Sequence, residues 1–422
     1  MNKKLPIISL FFMSIVSIMY WTFKPEKLYD AKWNESDTTL AITINGEIST
    51  TFPTSRAYNP SVECTSGTGK IEWSGSKWVL TTSGIEKGST RCNVDFKNLP
   101  PFVDTILANN TVQDPITTPG TEVSTSGEAL LASTEDDYGT SYYFRGAVKN
   151  NYVQFANKCW KIVRITGDGS VKLVLHNDNT SNAANPCSSA NNSTNAAFAR
   201  YSGTYNSEFN SSYNDNAYVG FKYGTVGASD YASAHANTNN STILTSLETW
   251  YIINLEPYES KLADTIWCND KSTVNGGLGY GTEYTEYAAY NRLDSTKQPT
   301  LKCPNDNKGG KLSKFTVSDI TNGNGNLTYK IGLLTADEIA FAGSIAYTYN
   351  RSTYLQENIG TSWWWSLSPT YFSGGAVVWG VYSGGLDGSA VLRSDGVRPA
   401  ISLISSTSVT GNGTSDNPYI IN

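Results

Sequence analysis

The sequence predicts an α+β fold that is mainly β, exported and held at a membrane by its N-terminus. Three observations predict it. Short apolar and polar alternations of strand length recur along the chain, among them residues 39–44 (TLAITI) and 152–155 (YVQF). Helical spacing with a capping residue occurs at two places, near residues 241–255 and 335–341. Six cysteines behind an export-type N-terminus read as disulfides.

At 422 residues the chain exceeds one typical domain, so two folded units with connecting segments are expected. Only 16% of the residues are charged, against roughly 25% in ordinary soluble proteins. Asn, Ser, Thr, Gly and Tyr take their place. The net charge of -6 argues against a nucleic-acid partner, because neutralising phosphates takes a basic stripe and the sequence shows none.

Lys3 and Lys4 precede the almost uncharged residues 5–23. At about 1.5 Å per residue this run is just long enough to cross a hydrocarbon core of roughly 30 Å. The basic flank should stay in the cytoplasm and send the chain after Lys24 outward. A cleaved signal peptide is the rival reading, but Met19, Tyr20, Trp21 and Phe23 are bulky where a cleavage site needs small residues. With no cysteine before Cys64, a lipid anchor is excluded. Residues 1–37 are thus expected to be a single-pass signal anchor and spacer, with most of the chain outside the cell membrane.

Residues 38–97 read as a small sandwich-like β domain. Asn45-Gly46 supplies a hairpin turn after the first strand, and further strands follow at 70–73, 77–81 and 91–96. So small a core is weak, and a Cys64–Cys92 bridge closing about 28 residues would add on the order of 3 to 4 kcal/mol. Trp73 and Trp78 are expected to fill that core. Residues 98–135 hold Pro100-Pro101, Pro115, Pro119-Gly120 and a Ser/Thr-rich run, a composition that predicts a linker.

The large domain is expected over residues 136–422. Strands at 161–165 and 171–175 flank a Gly167-Asp168-Gly169 turn. Residues 177–240 lack sustained periodicity, yet are long for a structureless insertion, so short strands are expected near 218–223. Asn240 or Ser241 caps a helix that places Leu244, Leu247, Tyr251 and Leu255 on one face. Thr335 and Glu338 form a capping box. Glu248, Asp337 and Glu338 therefore read as solvated or capping carboxylates. Residues 377–382, 389–393 and 397–403 read as three successive strands with Gly/Asp turns. Cysteine spacing suggests Cys64 with Cys92, Cys159 with Cys187 and Cys268 with Cys303, among 15 connectivities that six cysteines allow.

Near its C-terminus the chain carries Gly396, Val397, Arg398, Pro399, Ala400 and Leu403, a G-V-R-P-A-x-x-L motif after the tryptophan run Trp363, Trp364, Trp365. With residues 160–175 (WKIVRITGDGSVKLVL) and 332–343 (GLLTADEIAFAG), this end resembles the C-terminal domain of a large, uncharacterised family of secreted and surface proteins of gut Bacillota. The similarity spans most of residues 138–403. More distantly, the layout is similar to C-type-lectin-like domains of the formylglycine-generating-enzyme type, among them binding proteins diversified by bacterial retroelements. That resemblance implies a C-type-lectin-like recognition domain.

Chemistry and recognition then compete. An acyl-transfer triad needs a base, and His176 and His235 both lie in Asn/Ser/Ala-rich sequence. No C-x-x-C, no clustered histidines and no phosphate loop are present, so no metal or cofactor is expected. Formylglycine-generating chemistry uses late cysteines, and none follows Cys303. The chain is therefore expected to be a binding or adhesion protein for an extracellular glycan or protein, and not an enzyme. A glycan hydrolase built on two carboxylates is the alternative. Aromatic rings with Ser, Gly and Asp make adaptable recognition surfaces. The candidate ligand-binding residues are accordingly Trp363, Trp364, Trp365, Tyr371, Trp379, Tyr382, Ser383, Asp387, Arg393 and Asp395. Three consecutive tryptophans on a strand cannot all point one way. Arg398 reads as the buried partner of a carboxylate.

Overall fold

The computed structural model describes residues 38–421 apart from 75–76, 87, 122–126, 202, 306–307, 309–311 and 350–351. The expected anchor at 5–23 lies outside them, and among the described residues no helix is long and apolar enough to cross a membrane. The chain divides between Pro100 and Pro101 into two compact units.

The first unit comprises β1 (Thr38–Ile44), β2 (Glu47–Ser49), β3 (Tyr58–Cys64), β4 (Thr68–Ser74), β5 (Lys77–Ser83) and β6 (Thr90–Asn98). Asn45 and Gly46 both take positive φ, 53° and 86°, which a two-residue hairpin turn demands. Four strands form one sheet in the order β2-β1-β6-β3, and β4 pairs with β5 in a separate hairpin. Alternation turns Ile42, Val94 and Phe96 of the sheet and Trp78 and Leu80 of the hairpin into one core. Trp73 meets Trp78 edge-on at 5.3 Å. Cys64 lies directly opposite Cys92 in the β3–β6 register, and the two are bonded.

The second unit starts earlier than the composition suggests. A helix spans Phe102–Asn109 and buries Phe102 and Ile106, one helical turn apart, in the main core. After it β7 (Ala129–Asp136) pairs along its whole length with β8 (Gly139–Gly146). Residues 101–135 are therefore part of this unit and not a linker. Apolar residues at helical spacing amid the prolines outweigh the average composition. The wholly buried Glu128 adds a polar tie, accepting from Arg145 Nε at 2.9 Å. A fragment of residues 101–421 should accordingly melt as a soluble unit, whereas 136–421 leaves Arg145 without its carboxylate and the Phe102 site open. Equal melting of the two fragments would refute this boundary.

Beyond these lie β9 (Tyr152–Phe155), β10 (Lys158–Ile165) and β11 (Val171–Asn177), the last two joined through the expected Gly-Asp-Gly turn. Every residue of β10 and β11 is buried, so both faces of this sheet are covered. Its order is Ala400–Leu403, β11, β10, β9, Tyr419–Ile421, Val409–Thr410, with β8 also on β10. A second sheet is built around Trp364–Phe372, which pairs with Ala376–Tyr382 and with Thr285–Tyr287. Gly385–Ala390 extends it beyond Ala376–Tyr382.

The expected third strand of this meander, 397–403, goes elsewhere. Pro399 has no N–H to continue a ladder, its carbonyl accepts from Leu175 N at 2.9 Å, and Ala400–Leu403 joins β11 in the first sheet. The G-V-R-P-A motif is thus the seam between sheets. A Cβ on Gly396 would come within 2.7 Å of the Phe198 ring. Arg398 is buried as expected, yet it donates to the carbonyls of Leu175 (2.8 Å) and Leu355 (2.7 Å) instead of to a carboxylate.

The helix Thr242–Asn254 is capped by Ser241 and buries Leu244, Leu247 and Tyr251, as its spacing predicts. Ala336–Phe341 carries the full Thr335–Glu338 capping box. Between β11 and the first of these helices the chain is mostly turns, with two-residue strands at Asn206–Ser207, Lys222–Tyr223 and Asn239–Asn240. Cys159–Cys187 and Cys268–Cys303 are bonded, which completes the expected pairing.

Candidate ligand-binding surface

The second sheet sorts its aromatic residues by strand register. Tyr371 lies opposite Glu286 on one side and Val377 on the other, and Trp379 follows Val377 on the same face. Trp379 is covered by Tyr290, stacked at 6.1 Å, and by Tyr347 at 5.6 Å. Tyr290 in turn meets Tyr371 edge-on at 5.9 Å. Gly388 stands opposite Trp379, and because it has no side chain the Tyr371 ring reaches over it, its hydroxyl 3.7 Å from where a Cβ would be. Tyr284 completes the group by donating to Glu286 Oε1 at 2.6 Å.

Two tyrosines, Tyr290 and Tyr347, thus cover a buried tryptophan, with Tyr371 against Tyr290 and Tyr284 held by Glu286. Tyr284 is 59% and Tyr347 48% exposed. The Glu286 carboxylate, together with partial burial, pushes the Tyr284 hydroxyl up to about 12. Burial raises Tyr290 and Tyr347 as well, so all three remain protonated donors at neutral pH. Glu286 and Asp294 place negative charge beside them.

The opposite face carries a second aromatic group. Trp363 stacks on Tyr382 at 4.9 Å, and the Arg393 guanidinium sits 4.6 Å from the Trp363 centroid. Arg393 pairs with Asp395 (3.3 Å), which also accepts from Ser389 Oγ at 2.7 Å. Tyr349, 62% exposed, abuts Tyr382 edge-on. Asp387 shares this face, opposite Gly380, and accepts from Gly388 N at 2.7 Å.

Of the residues singled out from sequence, Trp364, Trp365 and Trp379 are wholly buried and support the sheet without reaching a ligand. Trp365 Nε1 donates to Ser207 O at 2.7 Å, and Trp364 lies 5.0 Å beneath Arg398. Ser383 and Asp395 are buried too. Trp363, Tyr371, Tyr382, Asp387 and Arg393 reach the surface but fall on two faces. Tyr284, Tyr290, Tyr347 and Tyr349 were not singled out, although the tyrosine density of 284–290 (YTEYAAY) and 347–349 (YTY) marks them.

A charged recess lies beneath the Cys268–Cys303 bridge, lined by Asp136, Arg164, Lys172, Asp270, Arg292, Asp337 and Glu338 among others. Arg164 joins Asp136 and Glu338, and Lys172 Nζ reaches Glu338 Oε1 at 2.6 Å. Arg292 grips Asp337 through two bonds of 2.9 and 3.0 Å and also reaches Asp270 at 2.7 Å. Burial alone would raise the Glu338 carboxyl, but Lys172 and Arg164 outweigh it and hold the group at about 2. About 20 Å³ remains free, room for one water. A glycosidase needs a raised, protonated acid facing a second carboxylate across a sugar. Here Glu338 is held ionised, and the carboxylates are clamped by Arg164, Lys172 and Arg292.

No protein-family model, curated protein or solved structure matches the chain.

Proposed function

We propose that the chain is an extracellular binding protein that recognises a neutral glycan on the tyrosine face of its second sheet. The observation that carries this reading is the group of Tyr290 and Tyr347 packed on Trp379, with Tyr371 against Tyr290 and Tyr284 bonded to Glu286 beside them. Rigid rings offer large contact area at low entropic cost, and their hydroxyls donate to polar groups. Sugars present both apolar C–H faces and hydroxyls. Glu286 and Asp294 beside the rings disfavour acidic ligands. The opposite face is the weaker candidate because Trp363 is already engaged by Tyr382 and Arg393. The clamped carboxylates of the recess favour binding over hydrolysis. In this reading residues 5–23 hold the protein at the cell membrane, the larger unit is C-type-lectin-like, and the G-V-R-P-A-x-x-L motif supports a kinship with the Bacillota surface-protein family.

An array of neutral oligosaccharides, acidic oligosaccharides and proteins, probed with soluble residues 38–421, tests the proposal. Binding to neutral glycans is expected. Tyr284→Ala and Tyr347→Ala should each weaken it by about 1 to 2 kcal/mol, with the melting temperature nearly unchanged as for other exposed positions. Tyr382→Ala, on the opposite face, should leave affinity intact. Capture of proteins alone would overturn the ligand class, and loss of binding in Tyr382→Ala only would move the site across the sheet.

A further inference from the structure

A lysine ammonium belongs in water, and burying one costs several kcal/mol unless it is well paired. Lys161 lies in β10 with its side chain wholly buried. Its Nζ sits 3.1 Å from the Tyr152 ring centroid, 3.2 Å from Glu357 Oε2 and 3.4 Å from Asn151 Oδ1. Asn151 is wholly buried as well. Its Nδ2 donates to Ile162 O at 3.0 Å, which fixes the carboxamide with its oxygen toward the amine. Glu357 Oε2 also accepts from Tyr152 Oη at 2.6 Å, while Oε1 pairs with Lys149.

The protonation states suit a reaction between these groups. Burial lowers Lys161 to about 7 against the pull of Glu357, so neutral amine is present at physiological pH. Glu357 stays a carboxylate, because Lys161 and Lys149 outweigh its own burial and hold it at about 2. His176, 4.0 Å from Glu357, is kept neutral chiefly by burial and also by the charge of Lys161.

We propose that Lys161 and Asn151 form an intramolecular isopeptide bond, with Glu357 carrying the proton. The Nζ lone pair attacks Asn151 Cγ, so an Nζ–Cγ bond forms. One Nζ proton passes to the Glu357 carboxylate and on to Nδ2. The Cγ–Nδ2 bond then breaks and ammonia leaves, which regenerates the Glu357 carboxylate. One amide replaces another, so the step needs no oxidant or cofactor. An amine in bulk water does not attack a carboxamide at a useful rate. Here the two are held in contact, which removes the entropic cost of bringing them together, and the product no longer holds a buried ammonium at Lys161. The bond ties β10 to the residue preceding β9, across the hairpin that packs against Tyr419–Ile421.

Peptide mapping of the full chain tests this. After reduction and trypsin, residues 150–158 and 159–164 should appear as one branched species, lighter by one ammonia than the two peptides together, with no cleavage after Lys161. Glu357→Gln, close in shape, should release residues 150–158 and 159–161 as separate linear peptides, and Lys161→Arg should yield no branched species. Linear peptides with an intact Asn151 in the wild-type chain would overturn the proposal. So would recovery of aspartate at position 151 without the branch, because water would then be the nucleophile. A branched species at wild-type yield in Glu357→Gln would overturn the role given to Glu357. The wild-type measurement stands whether or not a variant folds.

Discussion

Arg164→Met is expected to destabilise the larger unit by about 3 to 5 kcal/mol, as the loss of one partner from a buried ion pair does. Arg164 is nearly buried and bridges Asp136 and Glu338, both themselves buried. Without it, among the described residues, Glu338 keeps Lys172 as its only cation, and Asp136 keeps only the N–H donors of Tyr138 and Gly167. Urea unfolding of residues 101–421 at pH 7 measures the effect, and a change below about 1 kcal/mol, the range of exposed pairs, would show the network to be open to water. The same network sets an acid dependence. Glu338 lies at about 2 in the fold against an ordinary 4.5. A depressed carboxyl contributes stability that is fully present above its unfolded value and lost as pH falls through the folded one. The urea midpoint should therefore drop between about pH 4.5 and 2, and Arg164→Met should flatten that drop because one of the charges depressing Glu338 is gone.

Trp379→Ala should cost about 3 to 5 kcal/mol, the range for a large buried aromatic. Its ring is wholly buried and supports Tyr290 and Tyr347. Ligand affinity should fall together with stability, in contrast to Tyr347→Ala, where only affinity should fall. Parallel denaturation and binding curves on the two variants separate a footing from a contact. Retained affinity in a destabilised Trp379→Ala protein would show that the tyrosines hold their places without it.

How much was legible can be traced residue by residue. Asn45-Gly46, Gly167-Asp168-Gly169, Ser241 and the Thr335–Glu338 box act within a few positions of themselves, so their turns and caps could be read directly. Disulfide pairing followed from spacing because each pair closes a loop within one unit. The Phe102–Asn109 helix escaped because its Pro, Ser and Thr neighbours dominate the average over that stretch, while only Phe102 and Ile106 enter the core.

The proposed binding surface was legible in composition and not in membership. Sequence alone determined that this is a mainly β, disulfide-bonded chain, poor in charge, with a run of three tryptophans at 363–365, since these properties depend on residue type and local spacing. Tertiary structure decided which rings are support and which are surface. Tyr284, Tyr347 and Tyr371 come from distant segments and meet because the register of Trp364–Phe372 with Thr285–Tyr287 brings two of them to one face, and the third packs on Trp379. Trp364 and Trp365 point to opposite faces, yet both are buried, because the layers packed on each side of that end of the strand leave neither face open to solvent there. Alternation says which side chains share a face; only the packing of the whole chain says what covers it.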